Sequence, residues 1–110
     1  MHPDYSPAQV AELLASSEIQ LIDVREAHEW AAGRIAEGKH IQLAELTARA
    51  SEIDREVPVV FYCRSGARSA MATEAFKNAG FDAHNMTGGL LAWHGHGLPM
   101  IPPGGFVAEP

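Results

Sequence analysis

One cysteine, Cys63, stands in the segment Cys63-Arg64-Ser65-Gly66-Ala67-Arg68-Ser69, where the residues able to do chemistry are most concentrated. A thiol attacks only as its thiolate, and a free cysteine titrates near about pH 8.5. The segment follows the strand formers Val59-Val60-Phe61-Tyr62, introduced by Pro58, and precedes a helical pattern. A strand, a short loop and a helix together make an anion cradle. Successive loop N–H groups converge on one point, and the positive end of the helix dipole faces it. Gly66 permits a turn that most residues resist, and Arg64 and Arg68 add two positive charges to an otherwise acidic chain. The expected result is a Cys63 thiolate at neutral pH with no histidine base beside it. On residue type alone a cysteine is a core residue. A Gly-containing, doubly basic turn at a strand's end favours the nucleophile.

The neighbours of Cys63 divide by role. Arg64, Ser65, Gly66, Ala67, Arg68 and Ser69 are expected to bind an anionic substrate around the sulfur. Ser65 and Ser69 lack an apparent base, so they are read as hydrogen-bond donors or helix caps rather than nucleophiles. Asp23, Arg25 and Glu29 could form an acid–base set, but a strand-end carboxylate paired with arginine reads better as a structural tie between loops. His94-Gly95-His96 is the best case for a metal, yet an i, i+2 pair without a nearby carboxylate or cysteine is weak, and surface histidines are expected. No metal or cofactor is expected. Arg34 fits either a pocket rim or a solvated position, and Trp30 and Trp93 read as core or pocket-wall aromatics.

Something must position these residues. At 110 residues, with 46% hydrophobic and 20% charged, the chain is long and apolar enough for one domain with its own core. A lone thiol excludes an internal disulfide and suits a reducing compartment. Neither a secretory signal pattern nor an apolar run of about 20 residues is present, so a cytoplasmic, membrane-free protein is expected. A net charge of -6 argues against nucleic acid or anionic membrane as partner.

Short apolar runs alternate with helical stretches, the rhythm of an α/β domain with a parallel sheet. Ser6 caps a first helix with Pro7 at its first position and Val10, Leu13 and Leu14 on one face. Strands are expected at 19–24, at His40-Ile41, at 59–62 and at 83–86. Helices are expected at 26–32, ending at Gly33, within 43–53, and after the cysteine loop. That last helix carries Ala72, Ala75, Phe76 and Ala79 on its inner face and stops at Gly80. A Gly88-Gly89 turn leads into a short helix to about His94. The domain is bounded at 1–98, with 99–110 a Pro/Gly-rich, irregular tail.

The segment from Val59 to Ser69 resembles the active-site stretch of single-domain rhodaneses. Ile22-Asp23-Val24-Arg25-Glu26, followed by Glu29-Trp30, resembles that family's second strand and helix, and Gly88-Gly89-Leu90-Leu91-Ala92-Trp93 its closing turn and helix. The resemblance implies a rhodanese-like, five-stranded, mainly parallel sheet with helices on both faces. It implies transfer of a sulfane sulfur from thiosulfate or a related donor, through a Cys63 persulfide, to a thiol or cyanide. The basic cradle suits both the anionic donor and the negative persulfide sulfur. At 33–38 the chain reads Gly33-Arg34-Ile35-Ala36-Glu37-Gly38 where the family often has Gly-His-Ile-Pro-Gly-Ala, a departure at the pocket rim.

Other functions share these residues. Cysteine phosphatases need Cys-x5-Arg around a tetrahedral phosphoryl group, and Cys63 to Arg68 is one residue shorter. An arsenate reductase of the same fold remains open. So does an interaction module or sulfur relay that delivers persulfide to a thiol-bearing protein partner.

Overall fold

A computed structural model describes residues 4–110; residues 1–3 lie outside the described part of the chain. In chain order the elements are α1 (Pro7–Ala15), β1 (Gln20–Asp23), α2 (Ala27–Ala32), β2 (Lys39–His40), β3 (Val59–Tyr62), α3 (Ala67–Asn78), β4 (Ala83–Asn85) and α4 (Gly89–Gly95). The strands form one parallel sheet in the order β2-β1-β3-β4.

The five-stranded expectation is corrected to four strands among the described residues. Beyond β4 there is a single parallel bridge, Tyr5 to Met86, held by Tyr5 N–H to the Asn85 carbonyl (3.0 Å) and Thr87 N–H to the Tyr5 carbonyl (2.9 Å). The reason is local. Ser6 caps α1 through its Oγ, which accepts from Gln9 N–H, while Gln9 Oε1 accepts from Ser6 N–H. With Pro7 at the first helical position, the chain turns helical two residues after the bridge.

The alternation along β3 builds the core. Val59 and Phe61 face a cluster with Ile22, Ile41, Leu46, Ala72, Phe76 and Phe81, which also contains Cys63. Val60 and Tyr62 face the opposite cluster with Val10, Leu21, Ile35, Met86, Leu90 and Trp93. Period-two side chains on a strand buried on both sides give this pattern. Helix α3 therefore covers one face, and α1 and α4 cover the other.

Two further expectations change. The stretch 43–53 holds two 3-10 turns, Leu43–Glu45 and Ala50–Glu52, in place of a helix. On α3, Ala72 and Phe76 are buried, but Ala75 and Ala79 are exposed. The inner stripe runs Ser69, Ala72, Thr73, Phe76, the i, i+3, i+4, i+7 spacing of one helical face. Thr73 tolerates burial because its hydroxyl donates to the Ser69 carbonyl at 2.8 Å. Residues 99–110 contain neither helix nor extended strand, yet they fold back on the domain. Arg34 and Ile101 form an antiparallel bridge with both hydrogen bonds at 2.8 Å, and Met100 and Val107 pack on the second cluster. No helix among the described residues is long and apolar enough to cross a membrane.

Candidate active site

Cys63 immediately follows β3, at the carboxyl edge of the sheet, where open α/β sheets bind ligands. The closing turn fixes its backbone. Leu90 N–H donates to the Cys63 carbonyl (2.8 Å), and Leu91 N–H to the Arg64 carbonyl (3.0 Å). Gly89 makes this approach feasible: a Cβ there would lie 2.5 Å from the Arg64 carbonyl oxygen and 2.6 Å from that of Cys63.

From its own loop Sγ accepts from Gly66 N–H at 3.1 Å and Ser69 N–H at 3.5 Å, and the Ser69 hydroxyl, 3.3 Å away, shares its one proton between Sγ and the Gly66 carbonyl at 3.2 Å. Gly66 adopts φ +108°, a left-handed turn that suits glycine, and its carbonyl accepts from Asn85 Nδ2 at 3.1 Å. Burial pushes the Cys63 thiol up. The Ser69 hydroxyl and the Ser69, Gly66 and Ser65 N–H groups pull it down further, so the net direction is below an ordinary thiol. Cys63 is only 1% exposed.

The arginines are placed differently from the sequence expectation. Arg68 makes a bidentate ion pair with Glu29, Nη1 to Oε1 at 2.8 Å and Nη2 to Oε2 at 2.9 Å. Arg64 Nε donates to the Ala108 carbonyl at 3.2 Å. Among the described residues the hydrogen bonds to Sγ come from Gly66 and Ser69, and neither guanidinium supplies one. The Glu29 carboxylate, together with the Cys63 sulfur, raises the Arg68 pKa, so the Arg68 charge is felt at the site although it is directed at Glu29. Ala67 opens α3, and Ser65 is exposed on the turn.

Asp23 and Arg25 form the buried tie expected of them. Arg25 Nη2 reaches Asp23 Oδ2 at 2.7 Å and the Gly33 carbonyl at 2.8 Å. Glu29, on α2, pairs instead with Arg68 beside the cysteine loop. Its side chain is fully buried, and burial raises its carboxyl, but Arg68, the Glu26 N–H and Arg25 lower it further. Arg34 lies 3.8 Å over the Trp30 ring, which also stacks with His40. His94 and His96 are exposed, and the described residues hold no cluster of three metal-ligating side chains.

A cleft of ≈ 410 Å³ opens at this edge of the sheet, lined by Val24, Glu26, Leu43, Ala44, Arg68 and Pro110. Two contributors escape the sequence reading, Asn85 and Pro110, and for Glu29 the structural tie holds but its partner is Arg68, 39 residues away. Asn85 offered a signal, a polar residue ending a strand. Pro110 offered none, because a Pro/Gly-rich run reads as a tail.

A family model described as a rhodanese-like domain matches residues 6–96. The chain belongs to this rhodanese-like family. A putative sulfurtransferase, YtwF, of Bacillus subtilis (strain 168) is 38% identical over 85 residues, covering 77% of this chain and 82% of that protein. A sulfurtransferase of Allochromatium vinosum is 38% identical over 98 residues, covering 87% and 92%. The crystal structure of a rhodanese-related protein from Thermoplasma volcanium superposes with a TM-score of 0.84 at 27% identity, covering 91% of this chain and 98% of that one.

Proposed function

We propose that this rhodanese-family domain is a sulfurtransferase that moves a sulfane sulfur from thiosulfate or a related donor to a thiol or cyanide through Cys63. The observation that carries this is the Cys63 sulfur held in converging hydrogen bonds from Gly66 and Ser69, with its thiol displaced toward the thiolate. In the first step the Cys63 thiolate attacks the outer sulfur of thiosulfate. The S–S bond breaks, sulfite leaves with the electron pair, and Cys63 holds a persulfide. In the second step cyanide or an acceptor thiolate attacks the terminal sulfur, and the electron pair returns to Sγ.

Gly66, Ser65 and Ser69 serve both anionic states, while Arg64, Ala67 and Arg68 shape the loop around them. The sulfurtransferase names of both bacterial relatives support this activity. The net charge of -6 supports small-molecule partners over nucleic acid or anionic membrane. The loop from Cys63 to Arg68 encloses one compact sulfur, whereas a phosphoryl group presents three charged oxygens. A misplacement of about 1 Å costs on the order of a hundredfold in rate.

The test is thiocyanate release from thiosulfate and cyanide. The protein is expected to turn over, Cys63→Ser to be inactive, and aryl phosphates to remain intact. Thiocyanate production surviving in Cys63→Ser, or Cys63-dependent phosphate release without it, would reject the proposal.

A further inference from the structure

Residues 106–110 are gripped from two sides and reach the cleft at their last residue, Pro110. Phe106 N–H donates to the Ala32 carbonyl at 3.0 Å, and His28 Nε2 is hydrogen-bonded to the Glu109 carbonyl at 2.9 Å. From the other side Arg64 Nε donates to the Ala108 carbonyl at 3.2 Å. His28 and Ala32 lie on α2 and Arg64 on the cysteine loop, so the segment bridges two elements that flank the sulfur site. Pro110 then lines the cleft together with Arg68.

The crossing is written into the sequence. A Cβ at Gly33 would stand 2.5 Å from the Phe106 carbonyl oxygen and 2.8 Å from its nitrogen. A Cβ at Gly105 would stand 2.9 Å from the Pro102 carbonyl oxygen and 3.0 Å from that of Ala32. Gly33 has φ 177°, extended backbone that any residue adopts. The close passage of the segment, rather than local strain, is what excludes a side chain there.

We propose that residues 106–110 form a strap that determines acceptor specificity, admitting small acceptors to Cys63 and turning away large ones. The proposal rests on the sulfurtransferase reading above. In the acceptor step the attacking atom must reach the terminal sulfur in line with the S–S bond, which then breaks and returns its electron pair to Cys63. Cyanide or a small thiolate can pass beside the strap. A folded protein that carries its thiol on a broad surface meets the strap first.

The test uses the full chain and the reactivity of its single cysteine. Cys63 is alkylated with iodoacetamide and with a maleimide bearing a polyethylene glycol chain, in the native protein, in Gly33→Ala and in His28→Ala. Gly33→Ala displaces the strap through the Phe106 contact. It is expected to raise the bulky-to-small rate ratio by about tenfold, the worth of one hydrogen bond to a charged donor. His28→Ala removes one clasp at an exposed position and is expected to raise the ratio by about threefold, the lower range for a hydrogen bond. The persulfidated Gly33→Ala variant should likewise gain transfer to a reduced folded protein relative to cyanide. If Gly33→Ala loses cooperative melting, His28→Ala decides in its place. An unchanged ratio in the folded variants overturns the strap. Alkylation needs only the thiol, so a protein whose ratios shift as expected but which takes no sulfur from thiosulfate would sink the sulfurtransferase reading and leave the strap standing.

Discussion

Ser69 does more for the sulfur than either arginine of the loop. Its hydroxyl and its N–H both point at Sγ, and they head the influences that oppose burial and draw the Cys63 pKa down. Replacing Ser69 by Ala removes the hydroxyl and leaves the backbone donor. Losing a hydrogen bond to a charged sulfur favours thiol over thiolate, so the pH midpoint of Cys63 alkylation by a neutral reagent should rise in Ser69→Ala. Arg64→Ala should move it less, because that guanidinium is committed to Ala108. An equal rise in both variants would contradict this account. The sequence made the nucleophile and its loop legible, since strand, cysteine, glycine turn and helix follow one another directly. It did not show where the arginines point, because their partners Glu29 and Ala108 come from distant parts of the chain.

Between elements, the Glu29–Arg68 pair ties α2 to the first turn of α3 and so holds the loop that feeds N–H groups to the sulfur. Glu29 is fully buried and Arg68 is 26% exposed, so removing the arginine strands a buried carboxylate. Arg68→Ala is expected to cost about 3 kcal/mol, the lower range for breaking a buried pair, and equilibrium denaturation measures it. The pH dependence has a definite sign. The folded-state pKa of Glu29 is lowered, so its contribution is fully present above the unfolded carboxyl pKa, about 4.3. It is lost as pH falls through the folded value. In Arg68→Ala burial acts without its partner, the Glu29 carboxyl rises, and acid unfolding should begin at higher pH than in the native protein. An unmoved acid midpoint would show that the pair contributes no stability. The long elements were readable from period and caps: β3 and the Ser6-Pro7 start of α1 coincide with the strand former run and the cap. The 43–53 stretch was not. Its apolar residues Leu43, Leu46, Ala50 and Ile53 mimic a helical face, yet they sit on the first core cluster through two separate 3-10 turns.

For the molecule as a whole, the parallel sheet brings the ends of β1, β2 and β3 to one edge, and the cleft, the Cys63 loop and the 106–110 segment meet there. The α/β class and the sheet's direction followed from alternating apolar and helical stretches. The fifth strand shrank to one bridge because Pro7 starts a helix too soon. The return of 99–110 onto the domain has two traces in the sequence, Gly33 and Gly105, and these read equally well as a helix stop and as part of a Pro/Gly-rich tail. What unites these scales is the claim that Cys63 carries sulfur covalently, and the intact mass of the protein tests it most directly. Because Cys63 is the chain's single cysteine, thiosulfate should add one sulfur atom, about 32 Da, as a covalent nucleophilic mechanism requires. Cyanide should then remove it, and Cys63→Ser should gain nothing. An unchanged mass after thiosulfate, in protein whose Cys63 still reacts with iodoacetamide, would contradict the account.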